Sequence, residues 1–407
     1  MIKKVKVSDL QPGVFIHDFN CDWGEGNIYI EKMLVRDLKI VDIVKSWGIE
    51  EVYIDTERGK DVGPSLTARP NTNQFKTRVS PPSSTHTKTE APRNPIPFAL
   101  EAREAIQLRR DAVNVIKDTI NRVNEGKSPN VELTYELAGR MKLSLERNRD
   151  ALLLLTRIRK KDEYTLYHSI SVSSLLLNFC DHKGLPEKQT LDLAVAALFH
   201  DIGKTKVPDS ILNKPGKLNQ WEFNEMKKHV EFSVDLLHKA KNLPAECYDI
   251  ALHHHERVDG SGYPHGLTQD KIGYGVQLTT ICDVFDAVTS ARCYKEAMGT
   301  VAGLKTVYEA SGSHFNKDLA HEFIRCIGVY PVGTCVRLED GKVGIIAEST
   351  NNMMKPVVKV FRDARRREKF KPFLLDLSHT TQAICGYEDP KSIGIQPTSL
   401  LTAVLAT

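Results

Sequence analysis

The sequence predicts a mainly α-helical protein, with a small α+β domain in front of a helical body and a small β appendage behind it. Three observations carry this. Apolar residues recur at helical spacing through most of residues 98–328, short strand-like alternations are confined to the two ends, and a Pro/Ser/Thr-rich stretch separates the first end from the helical body.

In order, residues 1–62 alternate short strand patterns (Val5 and Val7; Ile28 and Ile30; Val52 and Ile54) with one amphipathic helix. In that helix Leu38, Ile40, Val41, Ile43, Val44 and Trp47 are apolar, and Gly48 suits a C-cap. Residues 63–97, with Ser80-Pro81-Pro82-Ser83-Ser84-Thr85, hold too little apolar surface to order themselves and read as a flexible linker. Residues 98–161 carry two long helical patterns broken at Asn124-Glu125-Gly126-Lys127-Ser128-Pro129. They read as a helical hairpin, either one that carries movement from the N-terminal domain or a packing or dimerisation element. Residues 162–328 form the helical body, and residues 329–407 read as strands and turns at 334–338, 343–347 and 357–361.

Chemistry concentrates in the body. The helix-compatible run Leu193 to Phe199 delivers His200 and Asp201 side by side, followed by Gly203 and Lys204. Neutral imidazole and carboxylate suit the same divalent first-row ions. A lone His-Asp pair means little, but His168, His229, His254, His255 and Asp283 also fall on or beside apolar helices. Burying five histidines and two aspartates is costly without an ion to coordinate.

The strings His200-Asp201-Ile202-Gly203-Lys204, His229, His254-His255-Glu256 and Asp259-Gly260-Ser261-Gly262-Tyr263-Pro264 resemble the HD-GYP family, a branch of the HD-domain metal phosphohydrolases. The likeness spans about 162–328 and continues through Asp283-Val284-Phe285-Asp286. It implies an all-helical HD-type catalytic domain in which His168, His200, Asp201 and Asp283 hold one ion. His229, His254 and His255 would hold a second, with Asp201 bridging both. Some family members recruit a third ion through a glutamate one turn before the first histidine; Tyr164 stands there, so two ions are expected, with iron or manganese favoured. Two such ions acidify a water for in-line attack on phosphorus.

Further roles follow from the same likeness. Asp201 and Lys204 are the catalytic pair, with Lys204 placed to meet a phosphate oxygen. Asp259, Gly260, Gly262, Tyr263 and Pro264 form a loop that helps define substrate or partner specificity. Arg292 and Lys295 grip phosphate, although Cys293 replaces the usual proline between them. Glu256 reads as an acceptor for a ligand imidazole or as a solvent-exposed side chain. The substrate implied is a 3'-5' cyclic dinucleotide, cyclic di-GMP or 3',3'-cyclic GMP-AMP. The alternative is a catalytically weak receptor for it, or a signalling-interaction module. A partner could dock through the loop or the N-terminal domain, and a homodimer is compatible. Asp9-Leu10-Gln11-Pro12-Gly13 and Val52-Tyr53-Ile54-Asp55-Thr56 resemble the small domain often placed before HD-GYP modules in bacteria.

Composition narrows the setting. A formal charge of +4 in 407 residues is too small to argue for a nucleic-acid surface by itself, and no duplex nucleic acid is expected as a partner. Eight cysteines without a Cys-x-x-Cys pair argue against a zinc ribbon or a disulfide framework. The start, Met1 to Val7, lacks a signal-peptide core, and no apolar run is long enough to span a membrane. A cytoplasmic location is the expectation.

Overall fold

Fourteen consecutive residues, Tyr167 to Cys180, are buried on every face of a single helix, which makes that helix the axis of the larger unit. The computed structural model describes residues 2–18, 33–35, 38, 41, 51–62, 96–156, 164–290, 299–350, 352, 354–364 and 368–388. These fall into two units, 2–62 and 96–388.

In the first unit, β1 (Ile2–Lys6), β2 (Phe15–Asp18), β3 (Met33–Leu34) and β4 (Glu51–Asp55) make an antiparallel sheet of order β1-β4-β2-β3, with Val5 opposite Val52. Val7, Leu10, Val14, Ile16, Val52 and Ile54 are buried. The expected strand at Ile28 and Ile30, most of the expected helix at 38–47 and the linker up to 95 lie outside the described residues.

The second unit opens with α1 (Phe98–Asn124) and α2 (Val131–Thr156), packed as a hairpin. Buried Glu101 on α1 accepts from Arg147 Nε at 2.5 Å and from Ser144 Oγ at 2.7 Å, which ties the pair together. The sequence predicts one unbroken helix from 131 to 161, but Asn148 leaves helical geometry (φ −158°, ψ 102°). Its side-chain amide donates to the Ile96 carbonyl, and its oxygen caps the amides of Asp150 and Ala151, so the helix stops and restarts there.

The axial helix is α3 (Tyr164–His182). It packs on α4 (Glu187–Phe199), where Ser173 Oγ donates to the Ala194 carbonyl. A 3-10 turn (Ile202–Lys206) and α5 (Asp209–Leu212) follow. A turn at Lys228 then separates α6 (Gln220–Lys227) from α7 (His229–Leu237). Next come α8 (Ala245–His253), α9 (Tyr274–Thr289), α10 (Thr300–Glu309) and α11 (Lys317–Ile327). Phe323 on α11 meets Phe179 and Phe285 edge to face at 5.3 and 5.2 Å, which fixes α11 to α3 and α9.

Strands β5 (Cys335–Leu338), β6 (Lys342–Glu348), β7 (Val357–Asp363), β8 (Glu368–Asp376) and β9 (Ile384–Tyr387) form an antiparallel sheet of order β8-β7-β6-β5-β9. The Ser349 amide donates to Asp150 Oδ2 at 2.9 Å, joining this sheet to α2. Among the described residues no helix is long and apolar enough to cross a membrane, and the cysteines with described surroundings are all free.

Candidate metal centre

Three helices end at one place. His200 follows the last residue of α4, His254 follows the last residue of α8, and His229, the first residue of α7, stands two residues beyond the end of α6. Helix C-termini carry partial negative charge and carbonyls short of partners, so a cavity where several meet favours cations. The axial helix adds His168 from its first turns, and α9 adds Asp283. Donor atoms of Asp201, His229, His254 and His255 lie within 4.8 Å of one another, and so do those of His168, His200 and Asp283. All seven expected ligands are therefore brought together; six are buried and His255 is half-buried.

Glycine makes the approach possible. A Cβ at Gly203 would stand 2.1 Å from the His229 carbonyl oxygen and 2.4 Å from the Ser233 amide. A side chain there would push α7, and His229 with it, away from Asp201. The Gly203 amide instead donates to Ser233 Oγ at 2.8 Å, and that hydroxyl donates to the His200 carbonyl at 3.2 Å.

The imidazoles are pre-set. Nδ1 of His200, His229 and His254 lies 2.7, 2.7 and 2.9 Å from the carbonyls of Ala197, Met226 and Ile250. A carbonyl can only accept, so each Nδ1 carries the proton and each Nε2 is left with its lone pair. His168 Nδ1 lies 2.6 Å from Asp286 Oδ2, an outer partner that the sequence reading named without giving it a role. The spacing holds the signal, because Asp286 is three residues after Asp283 and shares its helix face.

Asp201 faces both groups. Its Oδ1 is 3.4 Å from His229 Nε2 and 3.6 Å from His254 Nε2, while Oδ2 is 3.3 Å from His200 Nε2 and 3.5 Å from His168 Nε2. Asp201 Oδ1 and His200 Nε2 are buried without a hydrogen-bond partner among the described residues. Such orphaned atoms are costly unless an ion takes their lone pairs, and a mixed imidazole/carboxylate set fits a divalent first-row cation. Protonation points the same way. Burial, with Lys204 nearby, takes His229 down to about 3, and burial holds His255 far below the usual histidine range, so both stay neutral. Burial would raise the carboxyls of Asp201 and Asp283, but Lys204 and His200 around the first, and His168 beside the second, hold both well below the usual range. Lys204 sits in the 3-10 turn, not on an exposed helix face, and pairs with Asp201 Oδ2.

The DGSGYP loop lies against this pocket. Tyr263 stacks on His255 at 4.8 Å, and its amide donates to the His255 carbonyl at 3.3 Å. A Cβ at Gly262 would stand 2.4 Å from the Arg257 amide, and Gly260 has φ +78°, so both glycines are required by the backbone path. Asp259 does not reach the cluster: its carboxylate accepts from the amide and hydroxyl of Ser261 and shapes the loop, while Pro264 is half-buried within it. Glu256 neither orients an imidazole nor faces solvent. It is buried and accepts from the amides of His265 and Leu267 at 2.7 and 2.9 Å, because the chain folds back over it. Arg292, Cys293 and Lys295 lie outside the described residues.

With this geometry in place, two family models match the sequence: that of the HD domain over residues 137–319, and that of a domain of unknown function, DUF3391, over residues 2–134. A cyclic di-GMP phosphodiesterase of Pseudomonas aeruginosa is 31% identical over 392 residues, covering 95% of this chain and 92% of its own. The cyclic di-GMP phosphodiesterase response regulator RpfG of Xanthomonas campestris is 35% identical over 233 residues, covering 56% and 59%. A 3'3'-cGAMP-specific phosphodiesterase of Vibrio cholerae is 34% identical over 192 residues, covering 47% and 37%.

Proposed function

The chain belongs to the HD-GYP type of HD-domain phosphodiesterases, and from that premise we propose that it opens the ring of a bacterial 3'-5' cyclic dinucleotide, cyclic di-GMP or 3',3'-cyclic GMP-AMP, to give a linear dinucleotide. The observation that supports this most is Asp201, whose two oxygens face two separate groups of imidazole nitrogens.

In this reading His168, His200, Asp201 and Asp283 would hold one divalent ion, and Asp201, His229, His254 and His255 would hold the other, with iron or manganese favoured by resemblance. When bound, the ions supply Lewis acidity and an activated water for in-line displacement at phosphorus. The chain's own residues do the rest. Asp286 holds the His168 ring in the orientation that presents Nε2. Lys204, partly open to solvent beside Asp201, meets a non-bridging phosphate oxygen and offsets charge that grows in the transition state. Tyr263 walls the pocket over His255. Arg292 and Lys295 are assigned to the phosphates from sequence alone.

The test is product analysis after incubating purified, metal-analysed protein with each cyclic dinucleotide. A linear dinucleotide is expected from at least one of them. Tight binding of both without any product, by fully metallated protein, would make the chain a receptor instead.

A further inference from the structure

Helix α6 connects the Asp201 side of the pocket to the His229 side, yet none of its residues is buried. A helix normally holds its place in a fold by burying an apolar stripe. Here the large apolar side chains point outward: Trp221 is 65% exposed and Phe223 43%. The helix is held by polar contacts instead, through an Asn219–Glu222 capping box and ion pairs of Lys214 with Glu222 and of Lys228 with Glu225.

One of the two exposed rings, Phe223, is joined to the pocket. Phe223 meets Tyr263 edge to face at 6.3 Å, and Tyr263 stacks on His255 at 4.8 Å. Lys227 lies over both rings, 5.3 Å from the Phe223 centroid and 5.8 Å from that of Tyr263. Among the described residues it has no carboxylate partner, unlike Lys214 and Lys228. A chain of ring contacts, with a lysine that has no carboxylate partner among the described residues, therefore runs from a metal-cluster histidine through Tyr263 to Phe223 on α6.

We propose that Phe223 and Lys227, one turn apart on the same face of α6, form the subsite that receives a nucleobase of the substrate, with the base stacked on the Phe223 ring and Lys227 facing the dinucleotide's charged backbone. Flat bases are held sequence-tolerantly by aromatic rings beside cationic side chains, and a ring with a lysine over it is what this face presents. Among the described residues at the pocket, the metal-type donors are joined by Lys204 and by the ring of Tyr263, which is already stacked on His255. The inference rests on the cyclic dinucleotide reading above.

The experiment compares Phe223→Ala, Phe223→Leu and Phe223→Trp with wild type on cyclic di-GMP and on methyl 4-nitrophenyl phosphate, a diester without a nucleobase. Loss of one stacking partner should raise KM for cyclic di-GMP by about tenfold. The kcat/KM ratio of the two substrates should fall by a similar factor in Phe223→Ala and Phe223→Leu, with metal content unchanged, and Phe223→Trp should restore it. Equal losses on both substrates, an unchanged KM for cyclic di-GMP, or an effect that tracks lost metal would each overturn the assignment. Wild-type protein that cleaves the small diester but no cyclic dinucleotide would remove the functional reading itself, and this inference with it.

Discussion

In the metal pocket each of four imidazoles is fixed through its outer nitrogen by a separate acceptor, three of them carbonyls in the last turn of a preceding helix. Just past the DGSGYP loop, the amides of His265 and Leu267 converge on the carboxylate of Glu256, and the loop itself is tied by the Asp259 amide to the Ser313 carbonyl and by Tyr263 to His255. Three of the pocket's imidazoles are thus held locally, by carbonyls three or four residues back, whereas the loop is held by contacts to segments outside it. Local anchoring keeps donors aimed before any ion arrives. Loosening the Glu256 contact leaves the anchors of the imidazoles in place, which makes the two regions separable by mutation.

The largest effect is expected at Asp201. As the residue facing both donor groups, Asp201→Ala should lose both ions and all turnover while far-ultraviolet circular dichroism keeps the helical signal. Substantial activity in that variant would break the two-group account. Next comes Asp286, which reaches the ions only through His168. Asp286→Ala should weaken metal affinity by about 10–100-fold, read by chelator competition, with Asp286→Asn milder because its oxygen still accepts from Nδ1. An unchanged affinity in Asp286→Ala would show that α3 alone orients His168. The smallest effect on the metals is expected at Glu256. Glu256→Gln retains one acceptor and sets a donor against the other amide, costing about 1–3 kcal/mol of local stability. Hydrogen exchange should speed up at the His265 and Leu267 amides while metal content stays at the wild-type level. Loss of metal in Glu256→Gln would mean that the loop and the pocket are one unit.

The same contrast explains what the sequence could disclose. The ligands were legible because histidine and aspartate on apolar helices carry their chemistry in their type, and their outer partners lie three or four residues back. Asp286 carried a signal of the same kind in its spacing from Asp283, but the sequence reading assigned it no role. The role of Glu256 was not, since a carboxylate after two histidines looks alike whether it meets an imidazole, water or amides nine and eleven residues on. The break at Asn148 was hidden for a related reason: it depends on the Ile96 carbonyl, which only the folded hairpin brings near. The exposure of Trp221 and Phe223 was equally invisible, because an apolar residue at helical spacing ordinarily marks a buried face. In the N-terminal unit the paired strands at Val5 and Val52 follow from their alternation, while β2 and β3 were missed because both are very short.

Elemental analysis of the active enzyme beside His229→Ala tests the central claim most directly. Asp201 serves both donor groups and His229 only one, so the account predicts two divalent ions per chain in the wild type and one in His229→Ala. Three ions per chain in the active enzyme, or complete loss of metal in His229→Ala, would contradict it.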